Sequence, residues 1–352
     1  MHRYENNPII TPEDVKPSMP GFEVVGVFNA GAIFVDGKTC LLLRIAERPE
    51  IKDPDSNFIE VPYYNEEKQQ VDILYINKEL PEVDLSDPRF VLDGHNFYLT
   101  SISHLRRAWS EDGVNFIVES DPALFPSNKY ESFGIEDPRI TELDGKFYVN
   151  YTAVSKYGAG TALAVSKDMK SFERKGFIFA PDDRNVAIFP EKINGRYYAL
   201  HRPHVEGMGK PSIWLASSDN LLDWGSHECL MLPRQGLWDG VKIGAGAVPI
   251  RTASGWLLIY HGADEDDTYS LGLALLDLED PSKVLARSKD PILVPQEDYE
   301  RNGFYGDVVF TDGVVVHEDG AVNLYYAASD EKICLMRTNL EELCSVFNLT
   351  YS

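Results

Sequence analysis

Six times along this chain a short turn ending in glycine leads into a run of aromatic and β-branched residues. The runs are VDGKTCLLLR at 35–44, LDGHNFYLTS at 92–101, LDGKFYVNYT at 143–152, INGRYYALHR at 193–202, ASGWLLIYHG at 253–262 and EDGAVNLYYA at 318–327. Asp-Gly and Asn-Gly supply the positive φ angles of a tight hairpin, and the alternation that follows predicts a half-buried strand. Three of the runs are followed by a second unit read as strand, Ser, polar turn and aromatic: RAWSEDGVNF at 107–116, LAVSKDMKSF at 163–172 and LASSDNLLDW at 215–224. Successive turns lie roughly 50–65 residues apart, the spacing of supersecondary units that cannot bury their apolar faces alone. Set in a ring, such units share a core and protect their strand edges. The expectation is an all-β chain folded as a β-propeller of five or six blades. NPIITP at 7–12 resembles DPILVP at 290–295, so the two ends are expected to share a blade. An all-β two-domain protein is the alternative, but no Pro/Ser-rich linker divides the chain, and residues 1–352 read as one domain.

The ring limits where chemistry can sit. Residues at equivalent places in different repeats converge on a central channel. The candidates are Asn29 and Arg44; Asp87, Arg89, His104 and Arg106; Asp137, Arg139 and Tyr151; Arg184, Lys192, His201, Arg202 and His204; Lys242, Tyr260, His261 and Tyr269; and Asp307. Among them GIEDPRITELDG stands out. Neighbours on a strand point to opposite faces, so Glu136 and Asp137 are not expected to serve one site. Pro138 biases Asp137 toward extended backbone. Arg139 would then pair with Glu136, leaving Asp137 alone toward the channel with the raised pKa of a general acid. A turn carboxylate capping backbone N–H groups is the competing reading. The echo at Asp87-Pro88-Arg89 offers a second channel carboxylate.

Charge sharpens the choice of ligand. With 33 basic and 56 acidic side chains the net charge is −23, which argues against nucleic acid and anionic membrane as partners. Against that background the cluster of Lys192, His201, Arg202 and His204 is unusual, and Arg and His hold phosphate well. Paired, solvated charges are the plainer reading of each member. Tyr157, Trp238, Phe304 and Tyr305 lie in loop-like segments where a ring face can stack on a sugar. The four cysteines show no CxxC pairing and no His/carboxylate set has ligand spacing, so neither a disulfide framework nor a metal site is expected. The N-terminal segment lacks an apolar signal core and no run approaches the ~20 apolar residues of a membrane helix. A cytoplasmic protein is expected.

FNAGAIFVDGKTCLLLR, GIEDPRITELDGKFYVNYT, AIFPEKINGRYYALHRP, GWLLIYHG and YSLGLALLDLEDPSKV together resemble glycoside hydrolase family 130, the inverting β-mannoside phosphorylases and β-mannosidases, over nearly the whole chain. The resemblance implies a five-bladed β-propeller with a central active-site cavity and makes Asp137 the general acid, acting through a substrate hydroxyl. It implies phosphate binding by Arg44, Arg184, Lys192, His201, Arg202 and Tyr269. It matches Asn29 to a sugar- or phosphate-proximal position and Asp307 to a late sugar-binding Asp; of the channel candidates, Asp87, Arg89, His104, Arg139, Tyr151 and His261 are also expected to bind substrate. Ser270 stands where many members carry a basic residue. The resemblance also favours β-1,2-linked mannose, needs no cofactor beyond phosphate as co-substrate, and accommodates a homo-oligomer. An inverting hydrolase would instead need a second carboxylate ~6.5–9.5 Å from the first, such as Glu191, Glu228 or Glu265. A third reading is a propeller that only binds carbohydrate or a protein. A fourth is a related five-bladed glycosidase using three carboxylates, for which no matching trio stands out.

Overall fold

The hairpins read from the sequence are present in the computed structural model, which describes residues 1–204 and 207–347. Among the described residues the long strands sort into five antiparallel groups of four. The first is Phe22–Val35, Lys38–Pro49, Ile102–Ser110 and Ile117–Val118; the second is Gly134–Leu143, Lys146–Ser155, Gly158–Ser166 and Glu173–Phe179. A single bridge between Gly134 and Ser103 joins these two into one sheet. The third is Asp183–Ile188, Tyr197–Pro203, Ile213–Ser218 and Trp224–Met231. The fourth is Lys242–Ala245, Gly255–Ala263, Tyr269–Leu276 and Val284–Arg287, with Ile250–Thr252 also pairing its second strand. In the fifth, Val309–Val316, Ala321–Ala328 and Lys332–Asn339 are completed by His2–Arg3, so the two ends of the chain share a sheet.

Apolar side chains fill the spaces between consecutive groups. Cys40, Leu42 and Leu105 of the first group pack with Val149 and Ala164 of the second. Leu163 meets Ala199 and Ala216 of the third. Leu200 and Leu215 meet Leu258 and Ala274 of the fourth, and Ile259 and Leu273 meet Leu324 and Met336 of the fifth. Tyr325, Ile333 and Leu335 then pack against Leu41, Leu43 and Ala108 of the first. The expectation of half-buried strands is corrected here. In CLLL, residues 40 and 42 enter one core while 41 and 43 enter another, because the strand is covered on both faces.

The second of the six hairpin signals has a different home. Residues 92–101 belong to a three-stranded sheet, Val83–Asp84, Phe90–Asp93 and Asn96–Leu99. Together with the hairpin Phe58–Asn65 and Gln70–Asn77, it is inserted between the second and third strands of the first group. The Asp87-Pro88-Arg89 echo is therefore not a structural counterpart of Asp137-Pro138-Arg139.

The first strands of four groups share an irregularity. Pairing register shifts between Phe28 and Gly31, Glu136 and Arg139, Arg184 and Ala187, and Phe310 and Gly313. These are β-bulges, which bend a strand and re-aim a side chain. At three of them the first of the two residues in the bulge has positive φ: Asn29 at 47°, Asp137 at 51° and Asn185 at 56°. Asn and Asp tolerate this region better than other non-glycine residues. The bulged strands lie close together. A Cβ on Gly31 would sit 2.7 Å from the Pro138 carbonyl oxygen, so only glycine fits there.

Candidate active site

The bulges open onto one cavity of about 410 Å³, whose walls include Asn29, Arg44, Arg89, Glu136, Asp137, Arg184, Asn185, Arg202, His261, Tyr269, Phe304 and Asp330. Arg44 organises its acidic side. Its Nη1 donates to Asp137 Oδ1 at 2.9 Å and its Nη2 to Glu136 Oε1 at 2.8 Å, while its guanidinium lies 4.4 Å from the centre of the Phe28 ring. Asn29 Nδ2 also donates to Asp137 Oδ1, at 2.9 Å.

Three expectations about this motif are corrected. Asp137 is not extended, and it shares the cavity with Glu136, because the bulge breaks strict alternation. Arg139 does not pair with Glu136. It is buried behind the site, donating to the carbonyls of Ala245, Gly246 and Asp137 and pairing with buried Asp312. Nor is the Asp137 carboxyl shifted upward. Burial pushes it up, but Arg44, Asn29 and Arg139 outweigh burial and hold it below the ordinary carboxylate range. Glu136 carries the upward shift instead, from burial reinforced by Asp137 and Asp330 against the pull of Arg44 and Arg184. Asp330 is pushed up to about 6, first by burial and then by Asp137.

Another part of the cavity wall is cationic. Arg184 and Arg202 are cross-strand partners. Arg184 Nη2 is 3.2 Å from Asp182 Oδ1, whereas Arg202 has no carboxylate partner among the described residues. The Nε atoms of both are buried and make no hydrogen bond among the described residues. Burial lowers the Arg202 pKa to about 10, and Arg184 adds to the shift. Arg202 Nη1 and Asn185 Nδ2 lie 3.3 and 3.1 Å from His261 Nε2. Burial, together with Arg202, Arg139 and Lys242, depresses His261 far below its usual value, so the imidazole is neutral and its Nε2 accepts from both. Tyr269 stacks on His261 at 6.2 Å and carries the Lys242 ammonium 4.4 Å from its ring centre. Two guanidiniums with unused donors, sharing a small cavity with a carboxylate, suit a tetrahedral anion beside a group that needs a proton.

Of the residues singled out from the sequence, Asn29, Arg44, Arg89, Asp137, Arg184, Arg202, His261 and Tyr269 line this cavity. The others lie elsewhere. Asp87 pairs with Arg89 and faces a neighbouring cavity. His104 is fully buried, 2.9 Å from Glu47 Oε1. Tyr151 is buried against Glu131 and Arg174. His201 binds Asp183 at 2.7 Å and stacks on Phe179. Lys192 is exposed over the Tyr197 ring, and Asp307 is exposed between lining residues Phe304 and Val308. These polar residues lie within strands or in the connections between them, where pattern alone does not separate a buried network from a site. Glu191 pairs with Arg251, and Glu228 and Glu265 are exposed; none lines the cavity. Of the loop aromatics, Phe304 lines the cavity, Tyr305 lies under Arg89 at 3.7 Å, and Trp238 stacks on Tyr260.

Sequence reasoning missed Asn185 and Asp330 as cavity residues and set Glu136 aside. Asn185 had a signal. Asn29 and Asp137 each stand seven residues before the Asp of the following Asp-Gly turn, and Asn185 stands nine before Asn194 of its Asn-Gly turn.

Comparison with known proteins gives a consistent picture. Residues 45–349 match the sequence profile of glycoside hydrolase family 130, described as beta-1,4-mannooligosaccharide phosphorylase. A β-1,2-mannobiose phosphorylase of Listeria innocua is 44% identical over 348 residues, covering 97% of each chain. A 1,2-β-oligomannan phosphorylase of Thermoanaerobacter sp. is 41% identical over 242 residues, covering 68% of this chain and 79% of the relative. The solved complex of the β-1,2-mannobiose phosphorylase from Listeria innocua with β-1,2-mannobiose superposes with a TM-score of 0.95 at 44% identity, covering 99% of both chains.

Proposed function

The chain belongs to glycoside hydrolase family 130, and we propose that it is an inverting phosphorylase of β-1,2-linked mannosides. It converts β-1,2-mannobiose or β-1,2-oligomannan and inorganic phosphate to α-mannose 1-phosphate and the shortened sugar. The observation that carries this reading is the pairing, in one cavity, of the Asp137 carboxylate with the Arg184 and Arg202 guanidiniums. The near relatives favour β-1,2 linkages over the β-1,4 linkage of the family description.

In this reading the whole chain is one catalytic domain, a five-bladed β-propeller whose blades are the five strand groups. Support comes from the apolar core between the last group and the first. Arg184, Arg202 and Tyr269 hold phosphate, and neutral His261 fixes the Arg202 head. Phosphate oxygen attacks the anomeric carbon from the face opposite the leaving sugar, forming the C–O bond of α-mannose 1-phosphate as the glycosidic bond breaks. Asp137 supplies the proton to the departing oxygen through a substrate hydroxyl, and the proton of hydrogen phosphate restores the acid, so the balance closes without metal or cofactor. Asp137 is held ionised by Arg44 before ligands arrive. Phosphate brought to the cationic wall adds negative charge near Asp137, which raises its pKa when a proton is needed. Arg44 and Asn29 orient the acid. Arg89, Glu136 and Asp330 are left to hold mannose hydroxyls. A sugar phosphate conserves bond energy for intracellular use, so a cytoplasmic location is part of the proposal; among the described residues no helix is long and apolar enough to cross a membrane.

The test is incubation of β-1,2-mannobiose with and without phosphate, with products resolved by NMR. α-Mannose 1-phosphate formed only with phosphate is expected. Free mannose released at equal rates in both would overturn the reading in favour of a hydrolase.

A further inference from the structure

A second, larger cavity of about 740 Å³ runs along the outside of the inserted sheet. It shares Phe97 with the catalytic cavity, so one aromatic ring stands at the junction of the two. Tyr63, Tyr98 and Tyr157 also line the groove, with Asn96 and Ser155 among its polar groups. Phe97 is 42% exposed and Tyr157 49%. The two rings line one groove rather than standing singly, and a joined apolar surface of this kind marks an interaction site. Tyr157 is braced, with Tyr130 at 5.5 Å and the Lys156 ammonium 5.3 Å from its ring centre. The tyrosines offer flat apolar faces with hydroxyl tips, and the amide and serine side chains offer donors and acceptors. Each pyranose unit presents the complementary pattern, an apolar face ringed by hydroxyls.

We propose that this groove binds the sugar units of a longer β-1,2-oligomannan beyond those held at the catalytic centre, with Tyr157 as the outer stacking platform. The inference rests on the proposed phosphorylase reading and extends it. The unit transferred to phosphate occupies the catalytic cavity, and the leaving chain must exit it. Phe97 borders both the catalytic cavity and this larger groove, which puts the groove beside a route for that chain. Chain length thereby becomes a determinant of affinity, read by a surface outside the chemistry.

The experiment uses the full chain carrying Asp137→Asn, so that no turnover confuses binding. β-1,2-Mannobiose and β-1,2-mannopentaose are titrated by calorimetry, with and without Tyr157→Ala. The pentaose is expected to bind about tenfold more tightly than the biose, and Tyr157→Ala is expected to abolish most of that advantage while leaving biose affinity unchanged. Equal affinities for the two sugars, or an advantage that survives Tyr157→Ala, would overturn the proposal. So would a dimer in sedimentation that Tyr157→Ala dissociates, which would give the groove to a second copy. Wild-type turnover of mannobiose is measured alongside. Its failure would remove the phosphorylase reading, while the affinity ratio still reports on the groove.

Discussion

Asn29 donates its side-chain amide to Asp137 Oδ1 at 2.9 Å across 108 positions of sequence, and both residues hold positive φ inside a β-bulge. The bond favours the ionised form of the acid. Glycine keeps the backbone of position 29 without strain, so Asn29→Gly isolates the loss of the amide. The Asp137 pKa then rises, and the alkaline limb of the kcat/KM profile for phosphorolysis moves to higher pH. An unchanged limb in the pH–rate profile would separate Asn29 from the acid.

Asp137→Asn keeps the shape and both hydrogen-bonding positions of the side chain but cannot deliver a proton. Turnover is expected to fall by ~10²–10⁴-fold, the usual contribution of a general acid. The melting temperature should fall modestly, because the variant loses the charged partner of Arg44 while easing the repulsion among three crowded carboxyls. Initial-rate assays paired with thermal melts check this, and retention of most activity would remove Asp137 from the chemistry.

Arg202 is a half-buried cation with a buried, unbonded Nε and no carboxylate partner among the described residues, so ligand-free protein carries it at a cost. Wild-type protein is therefore expected to gain stability with phosphate, by about 2.7 kcal/mol at 100 times the dissociation constant. Arg202→Met should melt higher than wild type without phosphate, lose the phosphate-induced shift, and raise KM for phosphate at least tenfold with little change in KM for mannobiose. Melting curves across a phosphate series, with kinetics for both substrates, read all of these.

The Asp330 pKa of about 6 lies above the ordinary 3.8. Between those values the folded protein holds a proton that the unfolded chain has released. The contribution of this group to stability is thus full at low pH, falls as pH rises, and levels off above pH ~6. Asp330→Asn fixes the neutral form at a positive-φ position that Asn accepts. A higher melting temperature at pH 7.5, and no gain near pH 4, is the expected outcome in a pH series of thermal melts. An equal change at both pH values would locate the charge penalty elsewhere.

The hairpins were legible because Asp-Gly and Asn-Gly turns are local chemistry, and so was the shared sheet of the two chain ends. The cationic wall was legible at Arg184 and Arg202 through family resemblance. The direction of Asp137 was not. Strand alternation placed Glu136 and Asp137 on opposite sides, but a two-residue bulge turned both toward Arg44, and its positive φ overrode the bias that Pro138 imposes. Two residues from the same segments, Tyr151 and His201, went instead to satisfy buried Glu131 and Asp183. Nothing in a strand pattern says whether a polar end meets a ligand or another side chain. Asp330, in a short turn without a motif, became part of the cavity only through the packing of distant groups.

The pairing of His2–Arg3 with the strand Lys332–Asn339 has a consequence for the order of events during synthesis. Asn7 hydrogen-bonds Leu335, 328 residues further along. These early residues leave the ribosome long before their mates exist, and the sheet they complete must wait for nearly the whole polypeptide. Long-range pairing of this kind slows folding and leaves strand edges open to wrong partners meanwhile.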